Sequence, residues 1–115
     1  MPISGNIAWL EEALQSVLGQ TFSSWEFLAY IDGENPEAEE ILRAFGPRFT
    51  YQTGKVRVGA AVARNLCILR AKGTYVAALD SDDKWDREHL AKSVDALTKT
   101  PGSVLVACIP IHIDE

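Results

Sequence analysis

The chain has 115 residues, 47% of them hydrophobic and 23% charged, the balance expected of a single folded domain with one core. Its 11 Lys and Arg stand against 16 Asp and Glu, a net charge of -5, which excludes nucleic-acid binding driven by overall field. The longest uncharged apolar run, Val104 to Ile111, falls far short of the roughly 20 residues that span a bilayer, and Met1 to Asn6 carry no secretory pattern, so the expected location is the cytoplasm.

In chain order, Trp9, Leu10, Ala13, Leu14, Val17 and Leu18 recur at helical spacing. They predict a helix between Asn6, as N-cap, and Gly19, as a left-handed stop. Trp25 to Ile31 is rich in aromatic and β-compatible side chains and closes at Asp32-Gly33, which predicts a strand ending in a turn. Asn35-Pro36-Glu37 supplies a cap residue, a first-turn proline and an acid, so a helix starts there and stops at Gly46-Pro47. A short strand over Phe49 to Gln52 and a helix from about Gly59 to Ala71 follow, the latter ended by Lys72-Gly73. Thr74 to Leu79 reads as another strand, Asp86 to Thr98 as a helix, and Val104 to Ile109 as a last strand.

This alternation predicts an α/β fold, an open and mostly parallel sheet with helices on both faces. Only Met1 to Ser4 are left to form a strand before the first helix, so that strand is expected to be truncated. The unpaired backbone beside it would favour a homo-oligomer formed through the incomplete sheet. Cys67 and Cys108 lie in apolar surroundings and are expected to be small buried hydrophobes, and Trp85 to be a packing anchor. His89 and His112 lack metal-ligand spacing and are expected at the surface.

In such sheets ligands bind beyond the carboxyl ends of the strands, which is where Asp32 and the run Asp80-Ser81-Asp82-Asp83 fall. The D-x-D spacing lets two carboxylates share one space and hold a hard cation, Mg²⁺ or Mn²⁺, completed by water and substrate phosphates. The same run also suits the start of the following helix, where acids interact well with the dipole, and both readings stand on the sequence. Arg64 and Asn65, in Gly59-Ala60-Ala61-Val62-Ala63-Arg64-Asn65, sit among small residues that permit a close approach of helix to sheet or ligand.

Four segments occur together in a familiar order and spacing: WLEEALQSVLGQTFSSWE at 9–26, IDG at 31–33, GAAVARN at 59–65 and AKGTYVAALDSDDKW at 71–85. Together they resemble family 2 glycosyltransferases. The resemblance covers nearly the whole chain and implies the nucleotide-binding half of a GT-A fold, a Rossmann-like sheet that binds a nucleotide-diphosphate sugar with a divalent cation. It places Asp80 and Asp82 in the metal and sugar-nucleotide site, with Asp82 as the direct metal ligand and Ser81 and Asp83 beside them. Asp32 would face the base or ribose, and Arg64 and Asn65 would line the nucleotide pocket.

By the same resemblance the donor would be a UDP-sugar, the acceptor a glycan or lipid, and the transfer inverting. The catalytic base is expected beyond residue 115, so residues 1–115 form a partial domain that is inactive alone, Asp114 and Glu115 lying too near the last strand to replace that base. The chain departs from the family in reading Ile31-Asp32-Gly33-Glu34 where two consecutive acids are usual. The alternative expectation is a non-catalytic nucleotide-binding fragment or an interaction module.

Overall fold

The computed structural model describes residues 1–111; His112, Asp114 and Glu115, discussed above, lie outside them. Three parallel strands, β1 (Pro2–Ile3), β2 (Phe27–Asp32) and β3 (Phe49–Gly54), form a sheet in the order β1-β2-β3. Helix α1 (Leu10–Leu18) connects the first two strands and α2 (Pro36–Ala44) the second pair. Then come α3 (Ala60–Ile68) and α4 (His89–Lys99). Parallel strands joined through helices make this the Rossmann-like α/β arrangement that the alternation predicts.

Helix α1 forms because Leu10, Ala13, Leu14 and Val17 repeat at i, i+3, i+4 and i+7, and all four are buried. Leu10, Leu14 and Val17 join one core with Ala38 and Leu42 of α2 and the residues Phe27, Ala29 and Ile31 that alternate along one face of β2. Burial of each large aliphatic side chain here contributes about 1.5–3 kcal/mol. Residues Leu28 and Tyr30 take the opposite face by the same alternation, and α3 packs against β1 and β2. Phe49 gathers Phe27, Phe45 and Trp25 at centroid distances of 4.9, 5.3 and 5.6 Å. Arg48 covers that cluster, lying 3.4 Å above the Trp25 ring while donating to the carbonyls of Ser23 and Trp25.

Helix α2 begins as its sequence predicts: the Asn35 side chain accepts from the Ala38 amide at 3.0 Å, and Pro36 occupies the first position. Helix α1 differs. Asn6 accepts from the Ala8 amide and shapes a turn, and the helix starts only at Leu10, after Trp9. Gly19 has a φ of -79°, so it is not a left-handed stop; the last turn closes through its amide on the carbonyl of Gln15. Helix α3 is shorter than expected, and α4 starts at His89 rather than Asp86 because Asp86 turns the chain by accepting from the Glu88 amide.

Two expected strands do not pair. Thr74 to Leu79 runs without a ladder, only Leu79 of it being buried, and Val104 to Ile109 is exposed apart from a half-buried Val106. Both have strand composition, but a strand needs a partner edge, and β1 presents two residues along which to pair. Cys67 is buried as expected, whereas Cys108 is exposed, its sulfur 3.7 Å from His89 Nδ1, because the segment that was to bury it is not in the sheet. No helix among the described residues is long and apolar enough to cross a membrane.

Candidate functional site

The site is organised by the carboxyl end of β2. Asp32, its last residue, is 4% exposed, and both carboxylate oxygens are engaged: Oδ1 accepts from the Val58 amide at 2.6 Å and Oδ2 from the Gly59 amide at 2.9 Å. Gly59 sits at the N-cap of α3 with a φ of +86°, a conformation open to glycine and strained for other residues. A buried carboxylate therefore fixes where α3 begins.

Five residues further along, Arg64 donates from Nη2 to Asp80 Oδ1 at 2.6 Å. At 1.5 Å per helical residue, about 8 Å of α3 links the Asp32 anchor to this ion pair. The geometry thus brings Asp32, Arg64 and Asp80 into one chain of contacts. Arg64 is half-exposed and committed to a carboxylate, which ties Asp80 to α3. Asn65 is exposed on α3, and Ser81 is half-buried.

Asp82 and Asp83 are exposed, and no ion pair involves either among the described residues. The run forms a turn closed by the Asp83 amide on the Asp80 carbonyl at 3.2 Å. None of its acids lies in the first turn of α4, whose N-cap position is Glu88. The helix-capping reading of Asp80 to Asp83 is thereby overturned: Asp86, not the run, accepts an amide at that turn. Among the described residues no three His, Cys, Asp or Glu side chains gather into a metal cage. Of the two expected ligands, Asp80 has one oxygen engaged by Arg64, and Asp82 is exposed with no ion pair among the described residues.

The segment just after the run is held by a polar row that starts on α1 and continues past its end, a role not expected from these residues. Glu12 pairs with Lys84 at 3.1 Å, the Ser16 hydroxyl accepts from the Trp85 amide at 3.1 Å, and Gln20 Nε2 donates to the Asp86 carbonyl at 2.6 Å. Gln20 Oε1 also accepts from the Leu90 amide at 2.9 Å. The spacing 12, 16, 20 is the signal that was available, since i, i+4 places Glu12 and Ser16 on one face of α1 and Gln20 follows just past the helix end. Two open concavities of about 350 Å³ each lie elsewhere, one lined by Glu11, Leu18 and Phe45, the other by Thr21, Arg87 and Glu88.

Beyond the run, Trp85 stacks on His89 with centroids 4.8 Å apart, and burial holds the His89 pKa below its ordinary 6.5 against the opposing pull of Asp86. The fold therefore favours neutral imidazole. The stabilisation is full above about pH 6.5 and is lost as pH falls through the lowered value. Urea midpoints of wild type and His89→Gln should accordingly converge as the pH drops from neutral toward 5; parallel midpoints across that range would contradict it.

Compared with known proteins, residues 1–115 match the family described as Glycosyl transferase family 2. The chain belongs to that family. TuaG of Bacillus subtilis (strain 168), a glycosyltransferase whose name places it in teichuronic acid biosynthesis, is 37% identical over 90 residues, which are 76% of this chain and 36% of TuaG. The Escherichia coli UDP-Glc:alpha-D-GlcNAc-diphosphoundecaprenol beta-1,3-glucosyltransferase WfgD is 32% identical over 91 residues, 78% of this chain and 36% of WfgD. GlyG, a glycosyltransferase of Streptococcus pneumoniae serotype 4, is 36% identical over 90 residues, 72% of this chain and 29% of GlyG. The chain spans about a third of the length of these relatives.

Proposed function

We propose that the chain supplies the donor site of an inverting glycosyltransferase that moves a sugar from a nucleotide-diphosphate sugar to a glycan or lipid-linked acceptor. The observation that carries this reading is the freedom of Asp82 and Asp83, exposed, unpaired among the described residues and unneeded for capping α4, on a turn held beside the sheet end by α1 and Arg64. A run of solvated carboxylates in a chain of net charge -5 is an electrostatic liability unless a cation belongs there. Family membership supports sugar transfer, and WfgD, by its name a UDP-Glc-dependent enzyme with a diphosphoundecaprenol acceptor, supports a UDP-sugar as donor.

In this reading Asp82, with Asp80 through the oxygen that Arg64 leaves free, would hold Mn²⁺ or Mg²⁺ for a nucleotide-diphosphate donor. Such a cation offsets the charge that develops on the departing diphosphate. An acceptor hydroxyl oxygen bonds to the sugar's anomeric carbon as the bond from that carbon to phosphate breaks. The hydroxyl proton passes to a base outside these residues.

The test is an amide NMR titration of the chain with UDP, with and without Mg²⁺, using Asp82→Asn as control. Metal-dependent shifts at Asp32, Arg64 and Asp80 to Asp83 are expected, abolished in the variant. A folded chain whose spectrum ignores UDP and metal together would overturn the reading in favour of an interaction module.

A further inference from the structure

Helix α3 lacks a charged outer face. Ala63 and Cys67 are buried on the side that packs against the sheet, whereas Ala61, Val62, Asn65, Ile68 and the C-cap Leu69, which helical geometry turns the other way, are exposed. A helix lying on a sheet normally turns charge to water on that side, as α2 does with Glu37, Glu40 and Arg43. Here the water-facing side is aliphatic: Leu69 is 81% exposed, Val62 46% and Ile68 43%, and Val56, ahead of the helix, is 75% exposed.

The charge around this helix has one sign. Between Ile41 and Leu79 lie seven of the chain's eleven basic residues and none of its sixteen acids. Lys55 and Arg57 precede α3 and Arg70 and Lys72 follow it, so they bracket about 14 Å of helix. None of the four enters an ion pair among the described residues, although Arg70 reaches the Ala29 carbonyl at 3.5 Å. The acids that approach from elsewhere are already engaged: Asp32 by the amides of Val58 and Gly59, Asp80 by Arg64, and Glu26 by the amides of Lys72 and Gly73. The other exposed aliphatic stretch, Val104 to Ile111, contains no charged residue.

We infer that the outer face of α3 docks on an anionic lipid surface. Leu69, Val62 and Ile68 would enter the boundary between headgroups and acyl chains while the basic residues at either end of the helix meet lipid phosphates, the combination that holds an apolar helix face in a membrane interface. An apolar protein partner would account for the aliphatic side chains but not for four unpaired cations around them. Attachment of this kind is peripheral and reversible.

The test is co-sedimentation with vesicles of phosphatidylcholine alone and of phosphatidylcholine and phosphatidylglycerol in equal parts. The chains compared are wild type, Leu69→Gln, Lys55→Gln combined with Lys72→Gln, and Leu105→Gln. All four positions are exposed, so matching thermal melts should show that the variants stay folded. Wild type should bind the phosphatidylglycerol vesicles and ignore phosphatidylcholine alone. Leu69→Gln should weaken that binding about tenfold, and the double lysine variant about twentyfold, while Leu105→Gln leaves it unchanged. Absence of binding overturns the inference, and so does equal binding to both vesicles, full binding by folded Leu69→Gln, or an equal loss in Leu105→Gln. Light scattering that shows a lipid-free dimer broken by Leu69→Gln also overturns it and assigns the face to a second copy of the chain.

Discussion

Asp32→Ala is expected to cost about 3 kcal/mol of folding stability, read as a lowered urea midpoint by circular dichroism. The carboxylate is almost fully buried and receives two backbone amides, at 2.6 and 2.9 Å, from residues that enter α3. Alanine strands both donors, and the Gly59 backbone cannot turn to water without moving the helix start it sets. Asp32→Asn should fall between the two, because one carboxamide oxygen replaces one acceptor while its NH₂ opposes the other amide. An alanine variant within 0.5 kcal/mol of wild type would show that Val58 and Gly59 find other partners. Because α3 carries Arg64, the same substitution should loosen Asp80 and weaken nucleotide binding alongside stability.

The second large effect is expected at Gln20. The side chain is 8% exposed and makes three hydrogen bonds, donating to the carbonyls of Ser16 and Asp86 and accepting from the Leu90 amide. Gln20→Ala removes all three and leaves the Leu90 amide without its acceptor, a loss of about 2–3 kcal/mol. Unlike the Asp32 effect, this one should be largely local. Amide exchange at Leu90 and its neighbours should accelerate more than exchange in β2 and β3, since the clamp joins the end of α1 to the segment entering α4. Uniform acceleration across the chain would mean that Gln20 supports the whole core rather than this connection.

The contrast between these two residues explains what was legible in the sequence. Asn35-Pro36 announces α2 because a cap acts on amides three residues away, and the α1 stripe announces a helix because its period is local. Gln20 is silent because its partners Asp86 and Leu90 lie 66 and 70 positions away. Asp82 and Asp83 are visible as acids but not as unpaired ones. Seeing that the run does not cap α4 required knowing where α4 starts, and Asp86 together with the Gln20 clamp sets that. Thr74 to Leu79 and Val104 to Ile109 mark the opposite limit: their side chains favour extended backbone, but pairing depends on an available edge, which no composition encodes.

The Trp85–His89 stack gives the molecule an optical property of its own. The indole is half-buried, two positions past Asp83, its amide pinned to Ser16 and its ring face against an imidazole. Protonated imidazole quenches indole emission by accepting an excited electron, and neutral imidazole does so far less. Fluorescence from position 85 is thus coupled on one side to the protonation of His89 and on the other to any rearrangement of the acid run. With Trp9 and Trp25 replaced by phenylalanine, the chain would carry a built-in, label-free reporter beside its acid run.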